Sequence, residues 1–225
     1  MQFQQAELRG PSVEAMFVDV PVGGRRDGSA LADLLAHISA EAPGDTEELE
    51  RSSGLLITGA TQALLHPNWT GNAILVGGPG QGKSTVLQYV CQFHRARRLG
   101  EEGYSARQSE LTRAESAARF PIRIDLRRYA QWAEQPRSKL GKRQKKQRQS
   151  PHGEDQWSSL EEYVVDHIRR NIGMHKFAPE DLALLLATEP VLFALDGLDE
   201  VANLAIRSRV VEEISRMRGR LRADA

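Results

Sequence analysis

The sequence predicts an α/β fold with a parallel sheet, and three observations favour it. Short apolar runs alternate along the chain with amphipathic stretches of helical length. The runs at 73–76, 120–126 and 191–195 are short, which suits buried parallel strands. Glycines follow the first run at once and an aspartate follows the third, at the edge where open α/β sheets bind ligands. Strands that alternate with helices in this way indicate a parallel sheet.

Composition limits the kind of protein this chain encodes. With 225 residues, 40% of them hydrophobic, the chain is long enough for one α/β core or two small domains. No apolar run approaches the roughly 20 residues of a membrane span, and the first residues lack the pattern of a secretory signal. A single cysteine, Cys91, excludes an internal disulfide and fits a reducing compartment. We therefore expect a cytoplasmic protein without membrane contact.

One segment carries a strong charge bias. Arg137 to Arg148 contains seven basic residues and no acidic one, although the whole chain has a formal charge of zero. One interpretation is a solvated, disordered basic loop, which we place at 134–156, and the other is contact with a nucleic acid or an acidic partner. No aromatic residue lies within the basic run to stack on bases, so the second interpretation depends on charge alone.

Several further elements follow from local patterns. Met16 to Val22 alternates apolar and polar residues and predicts a short strand that stops at Pro21, after which Gly23 and Gly24 loosen the chain. Helices are predicted at 31–38, from Asp45 or Thr46, from Lys83, from Ser158 or Ser159, from Pro179 to Pro190, and at 206–221. Cys91 is expected on the buried face of the helix that begins at Lys83.

Residues 77–85, GGPGQGKST, match the pattern G-x-x-x-x-G-K-[ST] of a P-loop. The phosphates of a nucleotide need several donors at close range, and backbone N–H groups supply them where glycines permit positive φ. A helix from Lys83 adds the positive end of its dipole. The pattern assigns Lys83 to the β and γ phosphates, Ser84 to magnesium and Thr85 to the α phosphate. The predicted nucleotide-binding residues are Gly77, Gly78, Pro79, Gly80, Gln81, Gly82, Lys83, Ser84 and Thr85.

The second segment whose residues suit a binding or catalytic site is Val191 to Glu200, VLFALDGLDE. A buried strand that ends in a carboxylate places Asp196 at the carboxyl edge of the sheet. From that position Asp196 can hold magnesium through water. Together with the P-loop in the same chain, Asp196 predicts a site for ATP and Mg²⁺.

Residues 196–200, DGLDE, resemble the Walker B motif of NACHT proteins, in which a small residue follows the magnesium aspartate and acids come two and three positions later. The P-loop and FPIRIDLR at 120–127 are also similar to that family, over about residues 72–218. The resemblance implies a three-layer P-loop NTPase sandwich at 71–225, preceded by a helical or linker segment at 1–70. It further implies that Asp196 completes the metal site and that Asp199, with Glu200 as the rival, orients the attacking water.

NACHT proteins are signalling ATPases, often of immunity, that hold ATP or ADP as a switch and assemble when triggered. In that family, the helix resembling 206–218 precedes a strand with a sensor arginine, a helical lid and a winged-helix domain. The resemblance thus implies a fold incomplete at its C-terminus, with weak hydrolysis or none unless the missing half is supplied. Such a chain is expected to self-associate or to bind a completing segment. Two alternatives stay open: a non-catalytic interaction fragment, and a nucleic-acid-associated ATPase that uses the basic loop.

Overall fold

A computed structural model describes residues 20–25, 33, 55–67, 69, 71–100, 117–135, 157–171 and 173–223. The structure is of the mixed α/β class, and the chain divides into two compact units, Met1–Pro121 and Ile122–Ala225. The basic loop and the helix predicted from Asp45 or Thr46 lie outside the described residues. The same holds for the helix predicted at 31–38, except for Asp33, which is helical.

The first unit contains an antiparallel strand pair. Strand β1 covers Pro21–Arg25 and strand β2 covers Leu55–Gly59, with Pro21 opposite Gly59 and Arg25 opposite Leu55. β1 overlaps the strand predicted at 16–22 at its last two residues and continues to Arg25, while residues 16–19 of that prediction lie outside the described residues. Gly23 and Gly24 do not loosen the chain, since both lie within the ladder. Pairing with β2, which the sequence did not predict, outweighs the low strand propensity of glycine.

Among the described residues of the first unit, two helices follow β2. Helix α1 covers Ala60–Leu64 and helix α2 covers Lys83–Leu99, as predicted from Lys83. The predicted face of α2 is buried, since Val86, Val90 and Cys91 are at most 8% exposed. The expectation that Cys91 is a core residue is confirmed. Gly100 ends the helix in the left-handed conformation, with φ of 70°.

A buried histidine fixes the middle of α2. His94 is 1% exposed, and its Nδ1 accepts a hydrogen bond from the backbone N–H of Arg119 at 3.3 Å. The guanidinium of Arg119 in turn donates to the carbonyl of Trp69 at 2.9 Å. Burial above all, and then the charges of Arg119 and Arg97, lower the pKa of His94 from 6.5 to about 4. The imidazole therefore stays neutral at physiological pH.

The prediction of a buried strand at 73–76 is wrong. The segment pairs with no strand among the described residues, and its side chains at Ile74 and Val76 are 89% and 91% exposed. A parallel strand satisfies its backbone groups only beside a neighbouring strand. An apolar run indicates strand propensity, but it does not show that a partner strand lies beside it.

The described part of the second unit contains a parallel pair of strands and four helices. Strand β3 covers Phe120–Asp125, starting at the boundary between the units, and pairs in parallel with strand β4, Val191–Asp196. The helices are α3 (Leu126–Ala133), α4 (Leu160–Asn171), α5 (Pro179–Thr188) and α6 (Leu204–Ala223). Both strands and the helices α4, α5 and α6 match their predictions within two residues. The helices flank the sheet, as expected of an α/β fold.

Local caps explain where these helices begin. Ser159 and Glu162 form a capping box, in which each side chain accepts the other residue's backbone N–H at 3.2 Å. Pro179 stands in the first turn of α5, where its missing N–H costs nothing. Asp125 caps α3 by accepting the backbone N–H of Arg128 at 3.0 Å. Among the described residues, none of the helices combines the length and apolarity needed to cross a membrane.

An aromatic group forms part of the core of the second unit. Tyr129 is fully buried; its hydroxyl donates to the carbonyl of Ser158 at 2.7 Å and accepts from the indole of Trp157 at 2.8 Å. Tyr129 packs edge-on against Tyr163, with ring centroids 5.5 Å apart. The hydroxyl thus lies between two polar groups and ties α3 to the start of α4.

Candidate functional site

The glycine loop, residues 77–82, turns the chain sharply before α2. Gly80 and Gly82 have φ of 75° and 79°, a region that side chains with Cβ rarely adopt. The backbone N–H of Gly78 donates to Oε1 of Gln81 at 2.7 Å, which holds the curve from within. Glycine at these positions is therefore a conformational requirement of the loop.

Lys83 folds back over the same loop. Its Nζ donates to the carbonyl oxygens of Gly77 at 2.8 Å and Gly78 at 2.9 Å. The two carbonyls hold the ammonium against the first residues of the glycine loop. The role of Lys83 at the β and γ phosphates stays a prediction.

The start of α2 completes the first part of the site. The cap residue is Gly82, which has no side chain to accept a bond from the first turn, and the first α-helical bond runs from Val86 to Gly82 at 2.9 Å. Helix starts leave N–H groups without an intrahelical acceptor, and the dipole makes them attractive to anions. Ser84 and Thr85 lie in this first turn and both are exposed.

An added side chain would be crowded at two of the loop glycines. A Cβ added to Gly77 would come within 2.6 Å of Oε1 at the end of the Gln81 side chain, so Gln81 would have to move. A Cβ at Gly82 would lie 3.2 Å from the side chain of Val20 and would also meet an unfavourable φ. Lys83 and the first turn of α2 place one ammonium and helix-start N–H groups beside this loop, and that donor set suits phosphate oxygens.

Asp196 stands at the carboxyl end of β4, as predicted, but its carboxylate already has a cation beside it. Arg123 on β3 donates from Nη2 to Asp196 Oδ2 at 2.8 Å. The Asp196 side chain is 17% exposed and that of Arg123 is 43% exposed. The two strands are neighbours, which brings the two side chains together across the ladder.

Further charged residues gather around the turn after β4. Gly197 has φ of 76°, and a Cβ on it would lie 3.7 Å from Glu200 Cδ and 3.9 Å from Asp125 Oδ1. Glu200 pairs with Arg127 at 3.1 Å. We call this group, together with Arg123 and Asp196, the arginine–carboxylate edge. It consists of Arg123, Asp125, Arg127, Asp196 and Glu200.

Asp199, the predicted water-orienting residue, lies in the same turn. The N–H of Glu200 donates to the carbonyl of Gly197 at 3.2 Å, which closes the turn. Arg207 of α6 donates to the backbone carbonyls of Asp199 at 3.2 Å and Val201 at 2.7 Å. Asp199 and Glu200 are thus held on a fixed turn, and Asp199 remains the predicted residue with Glu200 as its rival.

The fit to a magnesium ion is weaker than the fit to phosphate. No group of three or more His, Cys, Asp or Glu side chains is arranged for a metal ion within the part of the chain that the structure describes. The main predicted ligand, Asp196, is engaged by a guanidinium. The carboxylate is suitable for a hard cation, but its surroundings in this structure favour the arginine.

Arg123 and Arg127 belong to the site but were not predicted from the sequence. The signal was present in the strand, because residues two apart point to the same face, which puts Arg123 beside Asp125. The pairing with Asp196 could not be derived, since it depends on the lateral position of β4.

Protein-family models, curated proteins and solved structures were compared with the chain, and none of them matches it. Only the chemistry and geometry of the described residues therefore support a function for this chain. The glycine loop with Lys83 lies in the first unit, and the arginine–carboxylate edge lies in the second.

Proposed function

We propose that this chain binds ATP with magnesium as the nucleotide-binding module of a NACHT-type signalling ATPase of the cytoplasm. In this proposal the fold is a three-layer P-loop sandwich, and the glycine loop binds the phosphates. Ser84 and Asp196 serve as ligands of magnesium, and Asp199 or Glu200 orients the attacking water. Hydrolysis by the isolated chain is slow or absent.

The observation that carries the proposal is the geometry of Lys83. Two loop carbonyls anchor its ammonium, at 2.8 and 2.9 Å, in a loop whose Gly80 and Gly82 have positive φ. An ammonium held at the start of a helix is suited to the negative charge of a triphosphate, and the start of α2 adds a favourable dipole.

Calorimetry with ATP and Mg²⁺ tests the proposal on three proteins. The wild-type chain is expected to bind, and Lys83→Ala is expected to weaken binding at least about tenfold, because charge-assisted bonds to phosphate are lost. Lys176→Ala removes the same charge from an exposed loop of the second unit and is the matched control. Equal ATP affinity in the wild type and in Lys83→Ala would refute the assignment of the glycine loop.

A further inference from the structure

We propose that Gln81 positions Lys83, because the Gln81 side chain holds the peptide group whose carbonyl binds the Lys83 ammonium. That peptide group joins Gly77 to Gly78. Its N–H donates to Gln81 Oε1 at 2.7 Å, and its carbonyl oxygen accepts a hydrogen bond from Lys83 Nζ at 2.8 Å. The inference rests on the proposed function, in which Lys83 binds the phosphates of ATP. The Gln81 side chain then acts on the phosphates through Lys83.

The two hydrogen bonds hold opposite ends of one peptide group. The peptide is trans, so its C=O and N–H bonds point in opposite directions. The Gln81 amide oxygen and the Lys83 ammonium therefore lie at opposite ends of the group, and together they fix its orientation. Because the N–H points away from Lys83, a phosphate bound to Lys83 does not need this donor. Gln81 thus supports the ammonium and does not compete with the phosphate.

The Gln81 side chain also supplies the short hydrogen bond of the turn at residues 78–81. This turn has Pro79 in its second position and Gly80, with φ of 75°, in its third, as in a type II turn. The backbone bond that closes it, from the N–H of Gln81 to the carbonyl of Gly78, is 3.4 Å long, beyond the usual limit of about 3.2 Å. The same carbonyl accepts from Lys83 Nζ at 2.9 Å. The carbonyls that hold Lys83 lie at the start of this turn, so loss of the Gln81 bond would loosen the ammonium.

Trace acetylation of the nucleotide-free chain with acetic anhydride, with each lysine quantified by mass spectrometry, tests the link between Gln81 and Lys83 directly. An amine bound by two carbonyls reacts slowly, and Lys176, exposed in the second unit, is the internal reference. Gln81→Met keeps the length of the side chain but lacks the amide oxygen, so it should raise the ratio of Lys83 to Lys176 labelling about twofold to fivefold, the effect of one hydrogen bond open to water. Gln81→Glu keeps an acceptor at the same distance from the backbone and should keep the ratio low. Gln131→Met makes the same exchange at an exposed position of α3 and should leave the ratio unchanged.

ATP binding tests the consequence for the phosphate site. In calorimetry, Gln81→Met should bind ATP with Mg²⁺ about twofold to fivefold more weakly than the wild type, a smaller loss than with Lys83→Ala. An unchanged labelling ratio in Gln81→Met, or an ATP affinity equal to or tighter than that of the wild type, would overturn the inference. Circular dichroism shows whether the variant is folded, and Gln81→Ala, which also lacks the acceptor, carries the test if it is not. A wild-type chain that binds no ATP would refute the proposed function, and the labelling ratio would still decide whether Gln81 positions Lys83.

Discussion

The buried neutral His94 makes the stability of the first unit depend on pH. Its pKa lies at about 4 in the folded protein, against 6.5 for an unperturbed histidine. Between these two values the unfolded chain binds a proton that the folded chain does not, so acid favours unfolding. The stability attributable to His94 is complete above pH 6.5, falls as the pH drops through 6.5, and levels off near pH 4.

The magnitude follows from the width of that window. Each pH unit between the two pKa values costs about 1.4 kcal/mol per proton, so the loss at pH 5 relative to pH 7.5 is about 2 kcal/mol. His94 is 1% exposed, so solvent screening does not reduce this value appreciably. In a chain of this size the loss corresponds to a melting temperature lower by about 4 to 8 °C.

The assay is thermal and urea unfolding at pH 7.5 and pH 5 for the wild type and His94→Asn. Asparagine does not titrate in this range, and its Oδ1 can accept the Arg119 N–H in place of Nδ1. The variant is expected to be less stable at neutral pH but to lose about 2 kcal/mol less than the wild type on acidification. His175→Asn, at an exposed site, is the control and should keep the wild-type slope.

Burial also lowers the pKa of His167. His167 is present in the wild type and in both variants, so its contribution cancels when their losses of stability are compared. An equal loss of stability in the wild type and His94→Asn would refute the reasoning, because it would mean that His94 takes up its proton as easily in the folded chain.

Two further substitutions test the glycine loop and the aromatic core. Gly82→Ala imposes a Cβ at φ of 79°, 3.2 Å from a valine methyl, and should lower stability by about 1–3 kcal/mol in urea unfolding and weaken ATP binding. Gly219→Ala, inside α6 with open space around it, should instead raise stability by about 0.5–1 kcal/mol. A similar loss of stability in Gly82→Ala and Gly219→Ala would contradict a specific requirement for glycine at position 82. Tyr129→Phe leaves the carbonyl of Ser158 and the indole of Trp157 without the hydroxyl, and urea unfolding should show a loss of about 1–3 kcal/mol. A neutral result would mean that water replaces the hydroxyl.

Elements with local signals could be predicted from the sequence. The capping box at Ser159, the proline at the start of α5 and the glycine before Lys83 each act within a few residues, so the neighbouring sequence determines them. The strands β3 and β4 were also predicted, because their apolar runs are short and bounded. Local chemistry was sufficient at these positions.

Features that depend on distant residues could not be predicted. The pairing of β1 with β2 joins residues 30 to 38 positions apart, and the glycines of β1 gave the opposite indication. The segment 73–76 has the composition of a strand, but Ile74 and Val76 are exposed. Composition gives strand propensity, but it does not show whether a second strand lies beside the segment. In the candidate site, the P-loop residues could be predicted from the sequence pattern. The Arg123–Asp196 pair could not, because it depends on β3 and β4 being neighbours in the sheet.

The location of the tryptophans gives a means of observing each unit optically. Trp69 is the one tryptophan that the sequence places within Met1–Pro121, while Trp132 and Trp157 belong to the second unit. The Trp69 ring lies close to Gly71, where a Cβ would be 3.3 Å from it, six residues before the glycine loop begins. Replacing Trp132 and Trp157 by phenylalanine would leave Trp69 as a single fluorophore. Its emission would then report on the first unit without a contribution from the tryptophans of the second.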